Sequence, residues 1–267
     1  MDVRDVTAGG HSLAVTEAGQ GPSTIVFLHA FPLSARMWAP QLAALPDGWR
    51  ALAPDFSGLG RSPRREPPAC TVADHARDVW AVVDALAPGP VVLAGLSMGG
   101  YVAFECWRQR PAGVRGLVLA DTRAEPDTDE ARGKRRAMQD KARQDGPGAV
   151  LDAMFPGLLG ATTQTNDPHR AIQVREYAEG ASTAGVVDAL DTLRTRPDSR
   201  PDLARIACPT LVLVGDEDTL TPPEAARTMA DGIAGATLVT IPAAGHLANI
   251  EQPQAFNRAL VDWLGRI

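Results

Sequence analysis

The chain predicts an α/β fold: a doubly wound, mostly parallel sheet of eight strands, with helices on both faces and an inserted helical cap. Three observations carry this. Short, nearly continuous apolar runs, such as Thr24-Ile25-Val26-Phe27-Leu28-His29 and Val91-Val92-Leu93-Ala94-Gly95-Leu96, alternate with segments of helical period. Such runs are expected of strands buried on both faces of a parallel sheet. The second run ends in Gly95-Leu96-Ser97-Met98-Gly99 and passes into Tyr101-Val102-Ala103-Phe104-Glu105-Cys106-Trp107, a strand-to-helix turn with a serine at its apex. Between about 122 and 205 the strand pattern stops, and helical segments rich in Ala, Arg and Asp take its place.

Taken in order, the polar alternation around Val3 to Val6 and His11 to Thr16 reads as two edge strands. A buried strand follows at Thr24 to His29, then a helix from Ser34, a good N-cap, through Trp38 to Leu45. Next come a strand at Arg50 to Pro54, a glycine-rich loop at Ser57 to Ser62, and a helix from Thr71 to Leu86. That helix carries Val72, Ala76, Val79, Val82 and Val83 on one stripe. After the serine turn, Val114 to Asp121 forms another buried strand. The following stretch is too long for a plain connection, so 122–205 is assigned to a cap inserted in a core of 1–121 and 206–267. The cluster Val150, Leu151, Met154, Phe155, Leu158 and Leu159 gives the cap an inward face. A strand at Thr210 to Val214, a helix at Pro222 to Ile233, a strand at Ala236 to Ile241 and an amphipathic helix at Pro253 to Leu264 complete the chain.

Length and composition narrow the function. With 267 residues, 45% of them hydrophobic, the chain can bury a core large enough for a full enzyme. Lys and Arg number 26 against 32 Asp and Glu, a net charge of -6, which argues against nucleic acid or an anionic membrane surface as a partner. The basic run Arg132-Gly133-Lys134-Arg135-Arg136 has acids on either side and reads as a solvated helix face. Cys70, Cys106 and Cys208 have neither metal-ligand nor redox spacing. They read as reduced thiols of a cytoplasmic protein, and no leader or membrane span is recognised.

G-x-S-x-G between a strand and a helix is the pattern of a nucleophile elbow, in which the serine hydroxyl is raised on a sharp turn. Gly95 and Gly99 then leave room for strand and helix to approach. A serine hydroxyl is a weak nucleophile at neutral pH, so it needs a positioned base, and the base needs an acid to hold its tautomer. His246, in the loop after the last strand, is placed to reach Ser97 over the carboxyl end of the sheet. Asp218, in Gly215-Asp216-Glu217-Asp218-Thr219-Leu220-Thr221-Pro222, occupies the loop after the preceding strand. Asp121, at the end of the strand after the elbow, is the weaker alternative acid. An acyl-transfer intermediate also needs N–H donors aimed at its oxyanion, and the residue after the nucleophile, Met98, supplies one of them.

The order Ser97, Asp218, His246, together with His29-Ala30-Phe31-Pro32-Leu33-Ser34 and Gly95-Leu96-Ser97-Met98-Gly99-Gly100, resembles the α/β-hydrolase fold superfamily over essentially the whole chain. More narrowly, these motifs are similar to the small carboxylesterases, enol-lactonases and cofactor-free haloperoxidases. The resemblance selects Asp218 over Asp216, because that family places its acid as G-x-x-D ahead of Thr-Pro. It also implies that the Phe31 amide is the second oxyanion donor. Two departures stand out. Ala30 replaces the usual glycine after His29, and Ser57 replaces the arginine of D-x-R-G-x-G-x-S in Asp55-Phe56-Ser57-Gly58-Leu59-Gly60-Arg61-Ser62.

The expectation is thus a serine hydrolase that cleaves small, largely apolar carboxylic esters or lactones through an acyl-enzyme, with no metal or organic cofactor. Phe31, Trp38, Met98, Met154, Phe155 and Leu220 are the expected apolar pocket residues. Enol-lactonase or carbon–carbon bond hydrolase, perhydrolase or haloperoxidase, and a non-catalytic small-molecule sensor are the alternatives on the same fold. His29 is expected to hold a structural hydrogen bond, and His11, His75 and His169 to be ordinary polar residues. Nothing in the sequence fixes an oligomeric state.

Overall fold

The computed structural model describes residues 2–8 and 10–267. In chain order its elements begin with β1 (Asp2–Ala8), β2 (His11–Gly19) and β3 (Ser23–Leu28). They continue with α1 (Ala39–Leu42), β4 (Trp49–Pro54), α2 (Val72–Leu86), β5 (Val91–Leu96), α3 (Met98–Gln109) and β6 (Val114–Ala120). Six helices then run without an intervening strand: α4 (Asp129–Asp145), α5 (Pro147–Leu158), α6 (Ala161–Asn166), α7 (Pro168–Tyr177), α8 (Thr183–Thr195) and α9 (Arg200–Leu203). Last come β7 (Thr210–Gly215), α10 (Pro223–Gly232), β8 (Thr237–Ile241), α11 (Ala248–Glu251) and α12 (Pro253–Leu264).

The eight strands form one sheet in the order β1-β2-β4-β3-β5-β6-β7-β8. The polar-alternating edge strands β1 and β2 pair antiparallel, and β2 pairs antiparallel with β4. Every pairing from β3 onward is parallel. The apolar runs are explained by this placement, since all residues of β5 and of β7 are buried. Successive side chains feed opposite faces. Val26 and Leu28 enter one core, with Leu93, Leu117 and Leu119, while Ile25 and Phe27 enter the other, with Val92, Ala94 and Val118.

The expected helix from Ser34 to Leu45 is instead a short 3-10 turn over Ala35–Trp38 followed by the single turn of α1. Pro40 has no N–H to continue the ladder of the preceding turn, so a new helix starts beside it. Trp38, expected in the pocket, lies fully buried between Phe27 and Phe256, with ring centroids 4.8 Å and 6.1 Å away. By contrast α2 starts where its sequence predicts. Thr71 accepts from the Asp74 amide while the Asp74 carboxyl accepts from the Thr71 amide, a reciprocal capping box.

The β5–α3 turn is tightly packed. Ser97 sits at φ 53 and ψ -114, a region that side chains other than glycine rarely occupy. A Cβ on Gly95 would fall on the Gly99 carbonyl, and one on Gly99 would fall on the Leu28 carbonyl of β3. Both obstacles are backbone and cannot rotate away. Gly99→Ala is therefore expected to lower stability by about 2 kcal/mol or more. Urea unfolding followed by circular dichroism measures this, and a loss below half that value would show that the turn relaxes freely.

Candidate active site

Three strand ends converge at the carboxyl edge of the sheet. The Ser97 amide donates to the Ala120 carbonyl at the end of β6 at 3.0 Å, and the Thr122 hydroxyl donates to the Ser97 carbonyl at 2.9 Å. The strained serine is thereby fixed from both sides. Met98 opens α3, where the first amides of a helix have no intrahelical acceptor. In the loop after β3, Leu33 donates to the Ala30 carbonyl and the Ala30 amide meets the Met37 sulfur, while the Phe31 amide has no acceptor among the described residues.

His246 follows β8, and its Nδ1 donates to Asp218 Oδ2 at 2.9 Å, both side chains being almost completely buried. Asp218, in the loop after β7, is held by more than the imidazole. Its Oδ1 accepts from the Leu220 and Thr221 amides at 2.8 and 2.9 Å, and its Oδ2 also accepts from the Thr221 hydroxyl. Burial raises the Asp218 carboxyl pKa, but the neighbouring His246 and these hydrogen bonds outweigh it and leave the group below its ordinary value.

The His246 loop has its own support, which the sequence did not disclose. Glu251, in α11, accepts from the Gly245 amide at 2.9 Å and the Leu247 amide at 3.2 Å with Oε1, and from the Gly160 amide at 2.8 Å with Oε2. One carboxyl group thus joins both neighbours of His246 to the junction of α5 and α6. Glu217, beside Asp218, grips the same junction through the Thr162 amide and hydroxyl. Two loops that carry His246 and Asp218 are therefore tied to the helices above them.

Ser97 and His246 line one cavity of about 420 Å³, large enough for a small organic ligand. Among the described residues the Ser97 hydroxyl makes no hydrogen bond to the imidazole. Phe31, Met154 and Leu220 also line it, whereas Met98 is buried beside Ser97 and Phe155 packs outside under the Arg175 guanidinium. The expected apolar pocket is only half of what is there. Arg123, Lys134, Arg135 and Arg196 form part of the wall.

The alpha/beta hydrolase family model matches residues 25–259. This chain belongs to that family. A thermophilic esterase from Thermogutta terrifontis is 36% identical, with 100% of this chain and 99% of that one covered at a TM-score of 0.93. The enol-lactonase from Burkholderia xenovorans LB400 is 28% identical, with 98% and 100% covered at a TM-score of 0.88. A protein of Variovorax paradoxus named as a candidate carbamate hydrolase is 33% identical, covering 88% of each chain.

Within this alpha/beta hydrolase the remaining titratable groups take different roles. His29 accepts from the Phe56 amide at 2.9 Å with Nε2 and donates from Nδ1 to the Ala30 carbonyl at 2.9 Å. It is a neutral strut between two loops, and burial holds its pKa below the ordinary value. His75 is no ordinary polar residue: it is fully buried against Phe56 with both ring nitrogens unpartnered. Burial, with a smaller effect from His29, pushes its pKa down to about 3. Asp121 accepts nothing from His246. Its Oδ1 accepts from the Gly215 amide at 2.8 Å and its Oδ2 has no partner. Among the described residues no group of three or more His, Cys, Asp or Glu is gathered as metal ligands would be. No helix there is long and apolar enough to cross a membrane.

Two outcomes follow. Burial first, then the Asp218 charge, raises the Asp121 pKa well above its ordinary value. Above the unfolded carboxyl pKa of about 3.9, the unfolded chain therefore binds fewer protons than the folded one, and stability falls as pH rises. Asp121→Asn removes that titration, so its melting temperature relative to wild type is expected to climb between pH 4 and pH 8; a pH-independent difference would refute the assignment. Glu251→Ala leaves three backbone N–H groups without their acceptor and is expected to cost about 2 to 4 kcal/mol in urea unfolding. A loss within 0.5 kcal/mol, the ordinary range of surface substitutions, would show that water replaces it.

Proposed function

We propose that this chain is a serine esterase in which Ser97, His246 and Asp218 act as nucleophile, base and orienting acid. The observation that carries this reading is the 2.9 Å bond from His246 Nδ1 to Asp218, made at the wall of the cavity that Ser97 also lines. That bond fixes the tautomer whose Nε2 carries the free lone pair. His246 takes the Ser97 proton as Oγ attacks the ester carbonyl. The Phe31 and Met98 amides hold the oxyanion, and His246 returns the proton to the departing alcohol. Water, deprotonated by the same imidazole, then attacks the acyl-enzyme and releases the acid. Asp218 stays ionised throughout and stabilises the imidazolium. No metal or organic cofactor enters these steps.

Helices α4 to α9 serve in this reading as the cap, with 122–205 inserted between core segments 1–121 and 206–267. Met138 and Met154, both in the cavity wall, come from that insertion. A cyclic ester is a second substrate that the same chemistry accepts, supported by the similarity to the enol-lactonase. Three free thiols, Cys70, Cys106 and Cys208, support a reducing, cytoplasmic setting.

A chain-length series of p-nitrophenyl esters tests the reading. Wild type is expected to turn over the short acyl esters, and Ser97→Ala to lose about 10³-fold or more in kcat with its melting temperature retained. Equal turnover by folded Ser97→Ala would refute it.

A further inference from the structure

We propose that the substrate of this cavity carries a carboxylate, recognised by Arg123, so that the preferred esters are anionic. The inference rests on the hydrolase reading for the bond that is cleaved, but the binding site stands on its own geometry. Four cations, Arg123, Lys134, Arg135 and Arg196, line the cavity against one acid, Asp127. Asp127 is shared: Arg196 pairs with one of its oxygens and Arg135 with the other at 3.1 Å. Lys134 pairs with Glu130, whose side chain is 78% exposed, on the outer face of α4. Arg123 is the one left over, with no carboxylate within ion-pair distance among the described residues. One terminal nitrogen donates to the Leu220 carbonyl, and its other N–H donors have no acceptor among the described residues.

Its placement suits recognition rather than solubility. Arg123 follows Thr122, whose hydroxyl holds the Ser97 carbonyl, so its backbone is anchored beside the nucleophile. Leu220, its other tether, lies in the Asp218 loop and lines the same cavity. A guanidinium fork matches the two oxygens of a carboxylate. One unpaired guanidinium balances one negative charge, which favours a monoanion such as a carboxylate over a phosphate dianion. The apolar lining of Phe31, Met154 and Leu220 then accommodates the carbon chain between the ester and its anionic end.

Matched esters test this on either side of the scissile bond. Monomethyl glutarate is compared with dimethyl glutarate, and 4-acetoxybenzoate with its methyl ester, for wild type and Arg123→Gln. Wild type is expected to favour the anion at least tenfold in kcat/KM in one pair, and Arg123→Gln to bring that ratio within about twofold of one. In parallel, calorimetric titration with the amide isosteres N-methylglutaramate and 4-acetamidobenzoate reads binding without turnover. One of them is expected to bind at least tenfold more tightly than its methyl ester, and only when Arg123 is present. Ser97-dependent turnover with no preference for the anion, and no such difference in binding, would overturn the carboxylate inference while leaving the esterase standing. No hydrolysis of any ester, with Arg123-dependent binding retained, would overturn the esterase reading instead. A preference that survives in Arg123→Gln would show that Arg123 is not the residue responsible.

Discussion

The carboxyl edge of this sheet depends on one close approach, that of α3 to the end of β3. Gly99 packs so tightly against the Leu28 carbonyl that no side chain can intervene, and the turn before it must fold back through a positive φ at Ser97. Strain of this kind costs of the order of 1–3 kcal/mol and persists only where neighbours over-determine it. Here the neighbours are identifiable. The Ala120 carbonyl takes the Ser97 amide, Thr122 takes its carbonyl, and α3 is buried against both β3 and β6. The serine is exposed to the cavity because everything behind it is fixed.

The other half of the site is built on carboxyl groups that accept backbone amides. Asp218 orders its own loop through the amides of Leu220 and Thr221, and Glu251 orders the His246 loop through those of Gly245 and Leu247. Each of these bonds satisfies a donor that would otherwise be buried unpaired in an irregular segment. The third contact of Glu251, to Gly160, has a different effect. It makes the helices inserted after β6 part of the support for the His246 loop.

Much of this was legible in the sequence, for a physical reason. The central strands are apolar on both faces, and their order along the chain alternates with helices, so the parallel sheet follows from period and burial alone. The elbow announces itself because its steric demand falls on two glycines at fixed spacing around Ser97. Local signals failed where partners lie far apart in the chain. Trp38 is an aromatic beside a loop, and only the packing of Phe27 and Phe256 against it shows that it belongs to the core. Glu251 looks like a helix-surface acid until Gly160, 91 residues away, is seen to donate to it. Arg123 carries a positional signal, just beyond the carboxyl end of a central strand, where ligands bind in open α/β sheets. The basic run on α4 was read as a solvated face. That holds for Arg136 and for Lys134, which is exposed although it borders the cavity, whereas Arg135 is half-buried in the cavity wall against Asp127.

Two buried carboxyl groups, Asp121 and Asp218, stand near the same imidazole, and their environments separate them. Asp218 collects four donors from Leu220, Thr221 and His246, enough to offset burial and keep it charged. Asp121 accepts the Gly215 amide with one oxygen and leaves the other unpartnered, so burial and the charge of Asp218 drive it toward its neutral form. A pair of like charges in a dry site cannot both ionise cheaply. The bond from His246 Nδ1 to Asp218 holds the ring at the wall of the cavity that Ser97 also lines. Asp121 has a structural role as well. It ties the end of β6 to the end of β7 through Gly215, the residue that begins the Asp218 loop, and so sets the spacing between the strand that braces Ser97 and the loop that carries Asp218.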